Sequence, residues 1–254
     1  MVSTATPAPE APAPVPVNSV ARLFGAIFSP KATFESIAAK PTWILPILIA
    51  VVMGIAASTV ISQRIGWRAV IEKQIASNPR AQKQMESLTA DQREQSIDTQ
   101  VKITPKIVYT INVVVPFLAA IIVAAVMLAA FNLIYGTKMN FKTSLGITSY
   151  SWCPAIISGL LAIVILYIKD PSTVDVQNIV ASNPGAIVSD DTAKWLVSLL
   201  GSLDVFSFWT MILMAFGYSA TNPKKISFGT AFFTVFGAWA VYVLIKVGFA
   251  AAFS

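Results

Sequence analysis

The sequence predicts an all-α polytopic membrane protein with five transmembrane helices, short interfacial helices before the first span and a helical first loop. Three observations carry the prediction. Hydrophobic residues make up 56% of the 254 positions and charged residues only 12%, against about 25% charged in a typical soluble domain. Mean hydropathy is +0.70. Five separate stretches reach the length of about 20 apolar residues that a helix needs to cross a hydrocarbon core of roughly 30 Å.

The chain opens on an Ala/Pro tract, TATPAPEAPAPVPV at positions 4–17. It lacks the basic and apolar regions of a secretory signal, and its composition favours an extended, solvated tail over 1–18. The membrane domain is expected over 19–254. Val20, Leu23, Phe24, Ile27 and Phe28 recur at helical spacing with Arg22 on the other side. Ser29 followed by Pro30 starts a second helix, whose Phe34 and Ile37 oppose Lys31, Glu35 and Lys40. Two short amphipathic helices lying in the membrane interface fit this pattern, and a partner-binding surface would share it.

The spans are placed at about 43–62, 107–135, 150–168, 196–218 and 228–253. The fourth is diluted near its start by Ser198, Gly201, Ser202 and Asp204. In loop one, Asn78-Pro79 interrupts a helical stretch, and Thr89 with Gln92 forms a capping-box pattern for a helix over 90–103. A mostly solvated helical hairpin follows. Loop three holds Asp170, Asp175, Asp190 and Asp191, without the glycine and terminal glutamate of an EF-hand. It reads as a wet loop.

Lysines set the expected orientation. Lys138 and Lys142 in loop two and Lys224 and Lys225 in loop four are short-loop cations without acids nearby, and with Arg22, Lys31 and Lys40 they define a cytoplasmic side. Loop one opposes this count, with eight basic residues against five acidic ones on the other side.

No histidine is present, and Cys153 is the only cysteine. The usual general base, metal ligand and disulfide are therefore missing, and no phosphate-cradling glycine motif or metal-ligand spacing occurs. The sequence predicts no enzyme, no cofactor, no metal site and no nucleic-acid partner. Asp204 and Lys246 are the ionisable residues inside spans, where such groups mark functional candidates. Antiparallel spans four and five would put both roughly 10–12 Å below one membrane face, within reach of an ion pair. A snorkelling Lys246 and an Asp204 at a helix start form the alternative. Asn112, Pro116 and Asn132 in span two, and the small pairs Gly54/Ser58, Ala120/Ala124 and Gly248/Ala252, read as packing devices.

The order of several short segments resembles that of bacterial Yip1-domain proteins. These are Phe28-Ser-Pro30-Lys-Ala-Thr-Phe34 with Pro41 and Pro46, Gly136 with Phe141-Lys-Thr-Ser-Leu-Gly146, Tyr150-Ser-Trp-Cys-Pro154, and Asn222-Pro-Lys-Lys with Phe228-Gly-Thr-Ala231. The resemblance covers about 20–253. It implies a five-helix integral protein of the bacterial cytoplasmic membrane with its N-terminus in the cytoplasm. Eukaryotic relatives bind prenylated Rab-type GTPases, form hetero-oligomers and act in vesicle transport, but no GTPase-binding motif is recognisable here. Two functions stay open. One is a membrane-organising scaffold, contacting lipid headgroups, a membrane-protein partner or a second copy through Lys138, Lys142, Lys224 and Lys225. The other is a small transporter or channel using Asp204 and Lys246.

Overall fold

The computed structural model describes residues 18–189 and 192–252. The Ala/Pro tract falls outside them, as do Asp190 and Asp191 of loop three. Among the described residues the chain is helical, with no strand. The order is α1 (Ser19–Phe28), α2 (Pro30–Ala39), α3 (Ile44–Arg64), α4 (Trp67–Ala76), α5 (Pro79–Glu86), α6 (Ala90–Tyr135), α7 (Phe141–Ser151), α8 (Cys153–Ile168), α9 (Lys194–Ser202), α10 (Val205–Thr221) and α11 (Phe228–Ala252). Short 3-10 turns lie at Pro171–Thr173 and Pro184–Ile187. The helices α3, α6, α7–α8 and α11 are each long and apolar enough to cross a membrane. The α9–α10 pair, bent by 46°, makes a fifth crossing if it is one span.

Three boundaries differ from the sequence expectation, each for a local reason. Span two is the end of a single 46-residue helix that begins in loop one, roughly 69 Å long at 1.5 Å per residue. The Thr89/Gln92 box starts it: the Gln92 N–H donates to Thr89 Oγ1 at 3.3 Å, and the Thr89 N–H donates to Gln92 Oε1 at 3.1 Å. The helix runs through Pro105 and Pro116 and stops at Gly136, whose φ of 60° is a left-handed cap. Span three begins at Phe141, not Tyr150, and is interrupted at Trp152, because Pro154 has no N–H to give back to Tyr150. Lys142 therefore stands in the first turn of α7. Span four breaks at Leu203–Asp204, where Asp204 becomes the N-cap of α10.

Loop one folds as expected into helices. Asn78 caps α5 with Pro79 in its first turn. Arg68 gathers Glu72, Glu94 and Asp98 at 3.5, 2.8 and 2.5 Å on an exposed surface, where such pairs contribute little. The Glu94 hydrogen bond raises the Arg68 pKa further. Loop three leans on this unit, since Lys73 Nζ donates to the Val174 carbonyl at 2.9 Å.

The main apolar core lies where α1, α2, α6, α7, α10 and α11 meet, around Phe34, Phe131, Ile147, Tyr150 and Tyr218. Asn112 joins α6 to α3: its Nδ2 donates to the Gly54 carbonyl at 3.1 Å and to Ser58 Oγ at 2.8 Å. Gly54 and Ser58 thus serve as the small face on which Asn112 lies. A Cβ on Gly54 would come within 3.0 Å of Asn112 Oδ1. Ala120 and Ala124 are fully buried. Gly248 is different, because among the described residues a Cβ there would meet nothing within 4 Å. Interhelical side-chain hydrogen bonds in membranes contribute about 1 kcal/mol. Asn112→Ala is accordingly expected to destabilise the protein by about 1 kcal/mol, read as a lowered unfolding midpoint in mild detergent.

Candidate functional site

One end of the helical bundle collects α2, the turn after α6, the start of α7 and the end of α10. Its construction begins with Asn132 in the last turn of α6. The Asn132 Oδ1 accepts from the Met139 N–H at 2.9 Å and from the Thr137 hydroxyl, while its Nδ2 donates to the Met139 carbonyl at 2.9 Å. Both neighbours of Lys138 are thereby held. Lys138 itself takes φ = 56°, a left-handed conformation that costs a residue with a Cβ free energy and persists only where surroundings impose it. Its side chain is exposed. Asn132, expected as a packing residue, is the organiser of this turn.

Lys142, Lys224 and Lys225 are exposed at the same end. Lys225 reaches across so that its Nζ lies 3.9 Å from where a Cβ on Gly136 would sit. The structure thus brings loops two and four together. A separate apolar surface lies on α1, which packs on α2, the end of α7 and the start of α8. On α1, Val20, Phe24 and Phe28 are 53%, 63% and 79% exposed along one line, while Leu23 and Ile27 lean on the core.

Arg22 corrects the sequence expectation for α1. It faces inward, only 6% exposed. One guanidinium nitrogen donates to the Lys40 carbonyl at 2.8 Å and Thr42 Oγ1 at 3.1 Å, the other to the Ser36 carbonyl at 2.8 Å and Ser36 Oγ at 2.7 Å. The Ser36 carbonyl also accepts from the Lys40 N–H at 3.0 Å, so the guanidinium is its second donor, and both carbonyls sit at the negative pole of α2. Burial pulls the Arg22 pKa down and Tyr150 opposes this, yet a guanidinium stays charged in any protein setting. A helical wheel reads Arg as the wet side, so the inversion was invisible without α2.

The sequence reading also missed α7. Thr143, Ser144, Thr148, Ser149 and Ser151 are all buried, enclosed by α2, α6 and α10. Ser144 Oγ donates to the Ala124 carbonyl at 2.7 Å. With that hydrogen used, the Tyr218 hydroxyl donates to Ser144 Oγ at 2.9 Å and accepts from Thr148 Oγ1 at 3.0 Å. A chain of this kind reinforces itself in a low-dielectric interior. The Tyr218 ring stacks on Phe131 with centroids 4.6 Å apart. The signal was present in TSLGITSYS (143–151), a dense hydroxyl run inside an otherwise apolar stretch.

Asp204 and Lys246 do not form the expected ion pair. Asp204 Oδ1 accepts from the Ser207 N–H at 3.0 Å as the cap of α10, and its other oxygen accepts from Ser182 Oγ. Lys246 is exposed and its Nζ donates to Ser202 Oγ at 3.0 Å. The break in span four gives Asp204 free N–H donors to bind, and Lys246 on α11 faces α9. In loop three, Asp170 accepts from the Ser172 N–H and hydroxyl and Asp175 from the Gln177 N–H. The Ser172 hydrogen bonds hold the Asp170 carboxyl below its usual pKa.

No curated protein and no solved structure matches the chain. A family model described as the Yip1 domain matches residues 24–250. That match begins within α1, ends within α11 and takes in every crossing helix described above, so this helical membrane protein belongs to the Yip1-domain family.

Proposed function

We propose that the chain is a non-enzymatic membrane organiser, set in a bacterial cytoplasmic membrane with α1, α2 and the loop-two and loop-four turns on the cytoplasmic face. There it uses Lys138, Lys142, Lys224 and Lys225 to hold anionic lipid headgroups and a membrane-protein partner or a second copy of itself. The observation that supports the reading is the approach of loops two and four, whose four lysines are exposed, in a chain whose α1 also carries an exposed apolar line at Val20, Phe24 and Phe28. An apolar line lets an interfacial helix enter the headgroup boundary, and exposed basic residues meet negative lipid there. Among the described residues no three carboxylate or cysteine side chains cluster to hold a metal, and Asp204 and Lys246 each serve a local helix contact, which gives the transporter reading no support.

The test is crosslinking in intact membranes followed by affinity purification in mild detergent. A defined membrane protein is expected to co-purify and to be lost when the four lysines are changed to Gln. Lys246→Met is expected to leave that capture intact. Recovery of bulk lipid alone, with the wild-type chain, would overturn the organiser reading.

A further inference from the structure

At the same end a cavity of about 370 Å³ opens between α2, the turn after α6, the start of α7 and the end of α10, within the range of small-ligand sites. Its walls carry opposite charges. Glu35 of α2 and Lys138 both line it, yet each is without a hydrogen bond or ion pair to the other or to any other side chain of the described residues. Between them lies the start of α7. Asn140 caps it by accepting from the Thr143 N–H at 2.9 Å. The Phe141 and Lys142 N–H groups have no acceptor within the described residues, and the positive pole of the helix adds to them.

Thr143 is the independent sign that something belongs there. The residue is 6% exposed and lines the cavity. A buried helical threonine commonly gives its hydroxyl to the carbonyl four residues back. Here the residue four back, Met139, precedes the helix, and its carbonyl accepts from Asn132 Nδ2. The Thr143 hydroxyl has no partner in the protein, and it is not sealed in either, so its remaining opening is the cavity. An acceptor in the cavity would give this hydroxyl a fixed partner in place of solvent.

We propose that this cavity holds the headgroup of a phosphatidylethanolamine-type lipid, with its phosphate on Lys138, the Thr143 hydroxyl and the first N–H groups of α7, and its primary ammonium on Glu35. A plain anion would leave Glu35 facing it with like charge. A zwitterion with one phosphate and one compact hydrogen-bonding cation matches both walls. The acyl chains have apolar surface at hand, since Leu133, Ile134 and Phe141, which bracket the turn in sequence, are exposed. A lipid therefore suits the site better than a soluble phosphate. The proposal rests on the reading of this end as facing headgroups.

The experiment is native mass spectrometry of the full chain in mild detergent, titrated with short-chain phosphatidylethanolamine, phosphatidylglycerol, phosphatidylcholine and soluble phosphoethanolamine. Phosphatidylethanolamine is expected to bind about tenfold more tightly than phosphatidylcholine, whose methylated ammonium cannot donate to Glu35. Glu35→Gln is expected to abolish the preference for phosphatidylethanolamine over phosphatidylglycerol, and Lys138→Gln to weaken both. Thr143→Val is expected to weaken both as well, and Thr143→Ser to restore them. Both Glu35 and Lys138 are exposed, so their variants report on binding even if Thr143→Val fails to fold. Equal binding of phosphatidylglycerol with no response to Glu35→Gln would overturn the proposal. So would soluble phosphoethanolamine binding as tightly as the lipid, or no saturable binding at all. Lys224→Gln with Lys225→Gln separates the two readings: it tests the wider basic surface while leaving the cavity walls intact, so loss of partner capture with retained phosphatidylethanolamine selectivity is the expected result. Loss of that selectivity in the same variant would count against the cavity as the site.

Discussion

Arg22→Met is expected to release α1 from the bundle and to destabilise the protein by about 2–3 kcal/mol, the scale of losing the hydrogen bonds of one charged donor. Four hydrogen bonds disappear together, one of them to the Lys40 carbonyl just past the end of α2 and one to the Ser36 carbonyl, which keeps the Lys40 N–H. Ser36 and Lys40 are exposed, so water takes over part of what the guanidinium gave their carbonyls. Hydrogen bonds from a charged donor contribute about 1.5–3 kcal/mol each when deleted singly, and shared geometry keeps the four from adding. Arg22→Lys keeps the charge but has no planar fork to reach two backbone positions and two hydroxyls at once, so it is expected to recover only part of the loss. Unfolding midpoints in detergent give the magnitude. Protease cleavage between α1 and α3, faster in Arg22→Met than in wild type, would locate the loosening. An unchanged midpoint would show that α2 finishes its own C-terminus with solvent.

Arg22 also marks where sequence reasoning stops. Apolar length identified the membrane class and the four helices long and apolar enough to cross, with the bent α9–α10 pair as the candidate fifth, because lipid leaves a backbone no alternative to helix. Local chemistry was equally legible: the Thr89/Gln92 box, the Asn78-Pro79 break and the Pro30 start all stand where the pattern put them. What a one-helix pattern cannot carry is the partner. Arg22 looks wet on a wheel drawn for α1 alone, and becomes buried only because α2 ends beside it. Asp204 looks like half of an ion pair until the chain breaks before it and supplies N–H donors closer than Lys246. Asn132 reads as packing until the turn that follows folds back onto its amide.

The four lysines show the same division. Their charge and their side of the membrane domain follow from spacing, since loops two and four are short. Their relation to each other does not. Lys138 is fixed by a left-handed backbone that Asn132 imposes, Lys142 by the first turn of a helix expected to start nine residues later, and Lys225 by its approach to Gly136. The cavity walls are likewise assembled from four segments distant in sequence, so no local motif announces them.

The second large effect is expected at the contact of α10 with α7. Gly217 faces Ile147 so closely that a Cβ there would overlap Ile147 Cγ2 and lie 2.9 Å from Phe34 Cδ1. Ile147 is β-branched, and its Cγ2 is bonded directly to the stiff Cβ, so it cannot swing aside as the tip of a long chain would. It is fully buried, as is Phe34. Gly217→Ala therefore has to push α10 from α7, one residue from the Tyr218 hydroxyl that joins Ser144 and Thr148. Helix propensity favours alanine over glycine by about 1 kcal/mol, which sets the sign of the result as a test of packing: overpacking of a tight core costs about 1–3 kcal/mol. The expected outcome is a net loss of about 1 kcal/mol and a lowered unfolding midpoint. Ile147→Ala alone leaves a void and is also destabilising. Combined with Gly217→Ala, however, it removes the atom that the new methyl meets, so the double variant is expected to be more stable than the sum of the two single losses. Strict additivity would show that α7 and α10 separate readily, and that the buried hydroxyl chain, not the glycine contact, sets their spacing.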